Sequence, residues 1–343
     1  MLFVGMRRGG RNYYALDISD ITKPKFAWQI TGGSGDFSQL GQTWSSMTLA
    51  KVPWESGHKI VLLFGGGYDS TEDNLTQFNE HAMGNTLYMV DASNGELLWQ
   101  ASKSGADFNH NKMQSSFVTD VRTIDYDGDR VTDFFYITDV GGKIWRFDIN
   151  SSTLNANDFA DGGIIFDANG DSGGPYQRFF NSPSVSYFKD SDGGYLTISV
   201  GTGFRAHPLQ ATPTDTFYII KDRHIAQPPI SYTTATPSLL AEIDVSNTEE
   251  QVKLGWKFLL AGSSEKVLAN ALTANDTIYF TSFEPTSNNA DSDSCSAGAG
   301  TARAYSIKIQ DNPLDPIVLT KLPPMKTPIP PAAPILLLTT KSG

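Results

Sequence analysis

Short apolar runs that end in glycine or polar residues recur along the whole chain, and they predict β-strands joined by tight loops. Most runs come in pairs, in which an apolar strand leads to a Gly-rich or polar loop and then to a second strand. Five such hairpins span residues 2–17, 60–99, 134–148, 195–222 and 277–308. No stretch has the length and 3.6-residue periodicity of a helical domain.

Additional strands flank the hairpins and complete a repeated unit. The runs TWSSMTLAKV, SSFVTDVRTID and SPSVSYF each precede a hairpin and would supply further strands of a four-stranded blade. Several short strands per unit, repeated at irregular intervals, indicate a β-propeller. We therefore predict an all-β fold over residues 1–320, a modified propeller with quinoprotein-like blades, and a large β-sandwich as the alternative. About five to six blades are expected. This number is compatible with either a closed ring or an incomplete one.

The two ends of the chain depart from this pattern. Residues 321–343 are Pro-rich and finish in a short apolar run, which predicts a linker or a docking strand. The opening MLFVGMRRGG predicts a strand and lacks the basic segment, apolar run and cleavage site of a signal peptide. A chain that begins inside a strand is expected to be a fragment of a longer protein or a reading frame started late.

One hairpin carries a recognisable blade pattern. The run LYMVDASNGELLW, residues 87–99, has the pattern of the propeller repeats of quinoprotein dehydrogenases. In that pattern a pair such as Asn94 and Gly95 closes the turn, and a tryptophan equivalent to Trp99 packs between blades. The pattern indicates a blade and does not by itself indicate a cofactor.

The composition of the chain limits the kinds of partner that it can bind. The chain has 343 residues and a formal net charge of −11, which argues against a nucleic-acid surface and suits a protein that collects cations. Its single cysteine, Cys295, cannot close an internal disulfide. No apolar run reaches the roughly 18 residues that a membrane-spanning helix needs.

The strongest chemical signal is the acidic run DYDGDRVTD. Asp125, Asp127, Asp129 and Asp133 occupy positions 1, 3, 5 and 9 of a loop, and the carbonyl of Val131 supplies a neutral oxygen at position 7. Calcium takes six to eight oxygen ligands, and alternate acidic residues in a tight loop can direct carboxylates to one centre. Carboxylates so close together would repel one another without a cation. The sequence therefore predicts a calcium site here.

This run departs from an EF-hand. Glycine is at position 4 as Gly128, position 6 is Arg130, and position 12 is Tyr136 instead of a bidentate glutamate. The flanking segments predict strands and not helices, so we expect a calcium loop of modest affinity between strands. Magnesium is the weaker alternative, zinc is disfavoured because no histidine or cysteine lies nearby, and an acidic turn without an ion remains open.

The segment DYDGDRVTDFFYITDVGGKIWRFD resembles a signature of the PilC/PilY family of type IV pilus tip-associated adhesins. In that family an acidic calcium loop is followed by a strand, a Gly turn and a Trp-Arg-Phe-Asp strand. The runs GMRRGGRNYYALDISD, FGGGYD, VGTGFRAHPL and GWKFLLAGSSEKVLANALTANDTIYFTSFEP are similar to other blades of the family. The matches follow in order from residue 2 to about residue 310.

The resemblance implies the C-terminal propeller of such an adhesin, with calcium as its cofactor and no enzymatic activity. It implies calcium-regulated pilus extension and retraction, twitching motility and surface attachment. The implied partners are minor pilins or the tip complex of the pilus and a host or abiotic surface. The implied location is the bacterial cell surface, at the pilus tip, the outer membrane or the periplasm. The family's variable N-terminal domain and first blades are not recognisable in this sequence.

One other acidic, Gly-rich stretch, DANGDSGGP at residues 167–175, offers two candidate functions. DSGGP contains Ser172 in the setting of a trypsin-like nucleophile, but the upstream histidines lack the protease context, so we expect a loop serine. Asp167, Asn169 and Asp171 begin like a second calcium loop whose closing carboxylate is missing, which makes a weak or absent site the favoured prediction.

Two further readings of function stay open. A quinoprotein-type dehydrogenase fragment is the principal alternative, although a single cysteine cannot form the vicinal disulfide that often accompanies its quinone. A generic extracellular propeller that binds carbohydrate or an integrin-type partner with calcium is the third. The polar insertion at residues 69–85 predicts a surface loop, with partner binding as the alternative.

Overall fold

The computed structural model describes residues 1–75, 77–153, 155–171, 176–243, 254–285, 300–309 and 318–321. These residues form mainly antiparallel sheets, with parallel pairs only at β7–β8 and β16–β17, and short 3₁₀ turns. They divide into two compact units, the first comprising Met1–Pro183 and Arg223–Leu239 and the second Ser184–Asp222 and Leu240–Gly343.

The first unit contains three sheets. The first sheet has the order β1-β2-β3, the second β4-β5-β6-β7-β8, and the third β12-β11-β10-β9. Their strands are β1 Leu2–Gly5, β2 Tyr13–Asp17, β3 Lys25–Ile30, β4 Thr48–Trp54, β5 Gly57–Gly65, β6 Leu87–Asp91, β7 Leu97–Ser102, β8 Phe108–Asn109, β9 Arg122–Ile124, β10 Phe134–Thr138, β11 Lys143–Ile149 and β12 Ala160–Asp167.

The second unit contains two sheets. One has the order β13-β14-β15-β17-β16, and the other has the order β18-β20-β21-β22 with β19 paired to β20. Their strands are β13 Ser184–Asp190, β14 Gly193–Gly201, β15 Thr216–Asp222, β16 Ala241–Glu242, β17 Gly255–Leu259, β18 Lys266–Val267, β19 Leu272–Ala274, β20 Thr277–Pro285, β21 Gly300–Lys308 and β22 Val318–Lys321.

Five 3₁₀ turns link the described strands, and they are Arg7–Gly9, Gly35–Phe37, Ser70–Asn74, Ala156–Asp158 and Pro237–Leu239. In the described part of the chain, no helix has both the length and the apolar character needed to cross a membrane.

The predicted all-β architecture is confirmed. Each predicted hairpin contains an antiparallel strand pair, namely β1–β2, β5–β6, β10–β11, β14–β15 and β20–β21. The described residues form five sheets, which agrees with the expected number of blades. The domain limits at 1–320 and the tail at 321–343 stay predictions, because the tail beyond residue 321 lies outside the described residues.

Aromatic side chains join neighbouring sheets in the first unit. Trp99 of β7 is 1% exposed and meets Phe147 of β11 edge-on, with the ring centroids 6.0 Å apart. It also meets Phe159 at 5.1 Å. The expectation that Trp99 packs between blades is therefore confirmed, and this packing ties the second sheet to the third.

The turn between β6 and β7 forms as its sequence predicts. Gly95 has φ +76°, and a Cβ there would lie 2.7 Å from the Trp28 ring. The Asp91 carboxylate accepts hydrogen bonds from the amide and hydroxyl of Ser93, which closes the first half of the turn. Glycine is required here by both the backbone angle and the close approach.

A segment from the middle of the chain completes the first unit. Residues 223–239 follow β15 in sequence, but they lie along β12. The amide of Ala235 donates to the carbonyl of Ile165 (2.9 Å), and the amide of Asp167 donates to the carbonyl of Ala235 (2.9 Å). The Tyr232 hydroxyl donates to Asp148 (2.7 Å). The hydrophobic pattern of the sequence did not predict that residues 223–239 lie along β12.

The second unit has its own aromatic core. Phe217 and Phe280 stack with their ring centroids 3.8 Å apart, and Phe280 stacks on Tyr305 at 4.9 Å. Trp256 is fully buried among the same residues. These stacks join the two sheets of the second unit in the way that Trp99 joins two sheets of the first.

Candidate metal centre

The acidic loop closes the hairpin between β9 and β10. Its two ends, Ile124 and Phe134, lie opposite each other in the sheet register. The amide of Asp133 donates to the carbonyl of Ile124 (2.8 Å), and the amide of Thr132 donates to the carbonyl of Lys51 on β4 (2.8 Å). The loop is therefore fixed at its base to strands of two different sheets.

Side chains of the loop also fold it from within. The two Asp125 oxygens accept hydrogen bonds from the amides of Gly128 and Arg130, both at 2.8 Å. Gly128 and Arg130 have φ values of +82° and +70°. A left-handed arginine is uncommon and is tolerated here at the position where an EF-hand places glycine.

Three carboxylates converge in this loop. One oxygen each of Asp125, Asp127 and Asp133 lie within 4.8 Å of one another. Asp129 is not part of that group, and its Oδ1 accepts a hydrogen bond from the amide of Val131 (2.7 Å). The geometry thus gathers three of the four predicted carboxylates, while the complete ligand set, including Asp129 and the Val131 carbonyl, stays a prediction.

The electrostatics of the loop suit a bound cation. Partial burial raises the pKa of Asp133, and the negative charges of Asp127, Asp125 and Asp129 raise it further. The hydrogen bond from the amide of Tyr126 to Asp133 Oδ2 (2.7 Å) acts in the opposite direction. A hard divalent cation would remove this repulsion, and an all-oxygen donor set fits calcium in particular.

The second acidic stretch is arranged differently. Asn169 donates from its side-chain amide to the carbonyls of Gly141 (2.9 Å) and Gln177 (2.8 Å). The Asp171 carboxylate accepts from the amide and hydroxyl of Ser238, both at 2.8 Å. Asp167 accepts from the amide of Asn169 (2.9 Å). These side chains hold loops together, and the expectation of a weak or absent second ion site stays a prediction.

A buried polar cluster lies in the insertion at residues 69–85. Glu72 and His81 are 0% and 2% exposed, and His81 Nε2 lies 2.8 Å from Glu72 Oε2. The amide of Ser116 donates to His81 Nδ1 (3.0 Å), and Arg178 donates from Nε to Glu72 Oε1. The prediction of a plain surface loop is therefore wrong for these buried residues. Their charges are paired inside the protein, which fixes the insertion to the sheets.

This cluster contains a serine, a histidine and a carboxylate, but these side chains have a structural role. Ser116 is fully buried, and its amide donates to the ring nitrogen that faces its own hydroxyl. Because this serine is closed off from solvent and its hydroxyl also donates to the Met83 carbonyl (3.2 Å), we assign the cluster a structural role.

Sequence reasoning missed this cluster because its members are far apart in the chain. Arg178 lies 106 residues from Glu72. Its guanidinium also donates to the carbonyl of Leu75 (2.6 Å) and stacks over Tyr176 at 4.0 Å. The two other motifs noted in the sequence, Ser172 and Cys295, lie outside the described residues.

Comparisons with known proteins identify relatives of the chain. Residues 1–227 match a family model described as the PilY1 beta-propeller domain. The type IV pilus biogenesis factor PilY1 of Pseudomonas aeruginosa is 26% identical over 216 residues, which cover 62% of this chain and 16% of that protein. A PilY1 homolog of Xylella fastidiosa is 26% identical over 157 residues, which cover 44% of this chain and 10% of that protein.

A solved structure supports the fold. The crystal structure of the C-terminal domain of Pseudomonas aeruginosa PilY1 superposes with a TM-score of 0.65 at 18% identity. The match covers 90% of this chain and 66% of that chain. The family resemblance and the predicted propeller fold are both confirmed. The chain spans only a small part of the curated relatives that it matches.

The raised pKa of Asp133 leads to a prediction for the metal-free protein. Because the folded state holds this proton more tightly than the unfolded state, stability falls as the pH rises from the ordinary pKa of aspartate through the raised value. Asp133→Asn keeps an acceptor for the amide of Tyr126 and removes the charge. We expect its melting temperature in chelator at pH 7 to rise by about 1–3 °C.

The gain should disappear below about pH 3, where the wild-type carboxylate is also protonated. Asp36→Asn, which removes an exposed charge elsewhere in the first unit, is the matched control and should show no gain. A lower melting temperature for Asp133→Asn in chelator would contradict the assigned repulsion.

The buried cluster predicts strong coupling between Arg178 and Glu72. Arg178→Met leaves the Glu72 carboxylate buried without its guanidinium and should cost about 3–5 kcal/mol in urea unfolding. Adding Glu72→Gln should recover part of that loss, because the uncompensated charge is removed. Strictly additive losses in the double variant would show that the two side chains do not act as a pair.

Proposed function

Because the chain belongs to the PilY1 β-propeller domain family, we propose that it is the propeller part of a type IV pilus biogenesis factor. The match of residues 1–227 to that family is the observation that carries the proposal. The curated relatives are named as type IV pilus biogenesis factors, which agrees with it. In this role the propeller supports pilus extension and retraction, twitching motility and surface attachment.

Calcium binding at the acidic loop is the chemical part of this proposal. The ligands are Asp125, Asp127 and Asp133, with Asp129 and the Val131 carbonyl as further oxygen donors. The convergence of three carboxylate oxygens supports the assignment, as does the raised pKa of Asp133. Calcium, when bound, supplies a positive charge that offsets their repulsion, and its preference for oxygen ligands matches the donor set.

The ion would act on the junction between sheets. The loop is hydrogen-bonded through Thr132 to Lys51 on β4, and the amide of Ile149 on β11 donates to the carbonyl of Asp133 (2.8 Å). A cation that pulls the three carboxylates together therefore stiffens the contact between the second and third sheets. Calcium binding would thereby control the rigidity of the propeller that the pilus machinery contacts.

The proposed role is non-enzymatic, at the cell surface, in the outer membrane or periplasm, or at the pilus tip. Minor pilins or the tip complex are the proposed partners, together with a host or abiotic surface. The naming of the curated relatives as biogenesis factors favours this role over the quinoprotein alternative. Dye reduction after incubation with quinone and calcium would instead favour that alternative.

Calorimetric titration of calcium into chelator-treated protein tests the metal site. We expect one site with a dissociation constant in the micromolar to millimolar range. Asp127→Asn should abolish it, because it removes one of the three converging carboxylates, whereas Asp36→Asn should leave it unchanged. Asp129→Asn decides whether this carboxylate is a ligand. Full binding by a folded Asp127→Asn variant would refute the ligand assignment.

Twitching motility tests the pilus role. In a bacterium that carries the full-length protein, deletion of its gene should reduce surface pili and twitching, and the wild-type gene should restore both. The Asp127→Asn gene should restore protein levels but alter the calcium dependence of twitching, while Asp36→Asn should restore it fully. Normal piliation and twitching in the deletion strain would refute the role in pilus biogenesis.

A further inference from the structure

An open groove lies beside the acidic loop in the first unit. It encloses about 760 Å³ and runs between that loop and the segment at residues 225–232. The ends of β11 and β12 form its floor and rim. We call it the acidic groove, and it is defined by Tyr126, Asp127, Asp133, Phe134, Arg146, Asp148, Ile149, Asn150, Ser151, Asp161, Gly162, Ile225–Ile230 and Tyr232.

Negative charge dominates the lining of the groove. Asp127, Asp133, Asp148 and Asp161 line it, and Arg146 is the single cation among the described lining residues. Arg146 Nε donates to both oxygens of Asp148 (3.1 and 2.9 Å), and its guanidinium lies over the Phe134 ring at 4.2 Å. Its charge is therefore already balanced by Asp148, which leaves the other carboxylates to face a ligand.

The opposite wall is apolar and fixed. Pro228, Pro229 and Ile230 line it, and Ile230 is fully exposed. Tyr232 anchors this wall, because its hydroxyl lies 2.7 Å from Asp148 Oδ2 and 3.1 Å from the carbonyl of Asp161. Tyr126 adds an aromatic ring that is 44% exposed at the loop side. The groove thus pairs carboxylates with an apolar surface that Tyr232 anchors to the sheet.

We propose that the acidic groove binds an extended, lysine- or arginine-rich segment of a partner protein. A basic side chain matches both halves of the groove, since its charged end suits the carboxylates and its aliphatic stem packs against proline and isoleucine. Tyr126 can receive the same cation over its ring. Charge complementarity selects a basic protein segment over a neutral glycan as the occupant.

The groove is coupled to the metal site, a consequence that depends on the calcium binding proposed above. Asp127 and Asp133 both line the groove and belong to the group of three converging carboxylates. A bound calcium ion would neutralise them and weaken the attraction for a basic ligand. Because such coupling is reciprocal, the basic ligand would weaken calcium binding by the same factor.

Fluorescence anisotropy of a labelled peptide of alternating lysine and alanine tests the groove, with the full chain in chelator. We expect saturable binding that Asp161→Asn weakens about two- to fivefold and Ile230→Ser weakens up to about tenfold. Asp36→Asn makes the same charge change outside the groove and should leave the affinity unchanged. Both groove substitutions are at exposed positions, so the variants should fold.

Several results would overturn the proposal. Equal affinity in wild type, Asp161→Asn and Ile230→Ser would show only attraction to the net charge of −11. Equal binding of a peptide with glutamate in place of lysine would remove the charge argument. Displacement of the labelled lysine peptide by a neutral oligosaccharide at a lower concentration than the unlabelled lysine peptide requires would assign the groove to a glycan.

The calcium arm separates this proposal from the metal site. Saturating calcium should weaken binding of the lysine peptide by at least about fivefold. If calorimetry shows calcium bound but the peptide affinity unchanged, the coupling is wrong. If calcium does not bind at all, the proposed metal site fails, while the measurements in chelator still decide whether the groove binds the peptide.

Discussion

Strand β10 of the third sheet is buried on both faces, and the features around the acidic loop depend on this constraint. Every residue of β10 is buried. Phe135 and Ile137 belong to the aromatic core that contains Trp99, while Phe134 and Tyr136 lie beneath the guanidinium of Arg146. A strand covered in this way cannot shift without loss of packing on two sides. The ends of the loop are held by that frame, so its carboxylates are brought together by the sheet as much as by the loop.

The same alternation separates structure from chemistry along β11. Trp145 and Phe147 point into the core, whereas Arg146 and Asp148 lie on the opposite face and pair with each other. The side chains of the run Trp-Arg-Phe-Asp therefore alternate between the two faces of the sheet and have two different roles. One set of side chains builds the junction between sheets, and the other set forms the floor of the acidic groove.

Much of the fold could be predicted because its signals are local. The apolar runs, the Asn94-Gly95 turn and the position of Trp99 each follow from short sequence patterns, and the structure confirms them. The acidic run was likewise visible, since its carboxylates are neighbours in the chain. Which of them converge was not visible, because Asp129 caps the amide of Val131 instead.

What could not be predicted depends on contacts between distant residues. Glu72 and His81 looked like surface polar residues, and only the approach of Arg178 explains their burial. The placement of residues 223–239 along β12 rests on a few backbone hydrogen bonds and on Tyr232, which no periodic pattern records. In the sequence, buried charged residues of this kind cannot be told from exposed ones, because their partners lie far away in the chain.

The segment at residues 223–239 also has a consequence for the order of events during synthesis. The first unit is discontinuous, because the strands of the next sheet, β13 to β15, are made before its last segment. As the chain leaves the ribosome, β12 is complete long before residues 225–232 can form the apolar wall of the groove. A nascent chain that ends near residue 183 would contain the acidic loop with its carboxylates in place but only one side of the groove. The binding surface is therefore among the last parts of this unit to form.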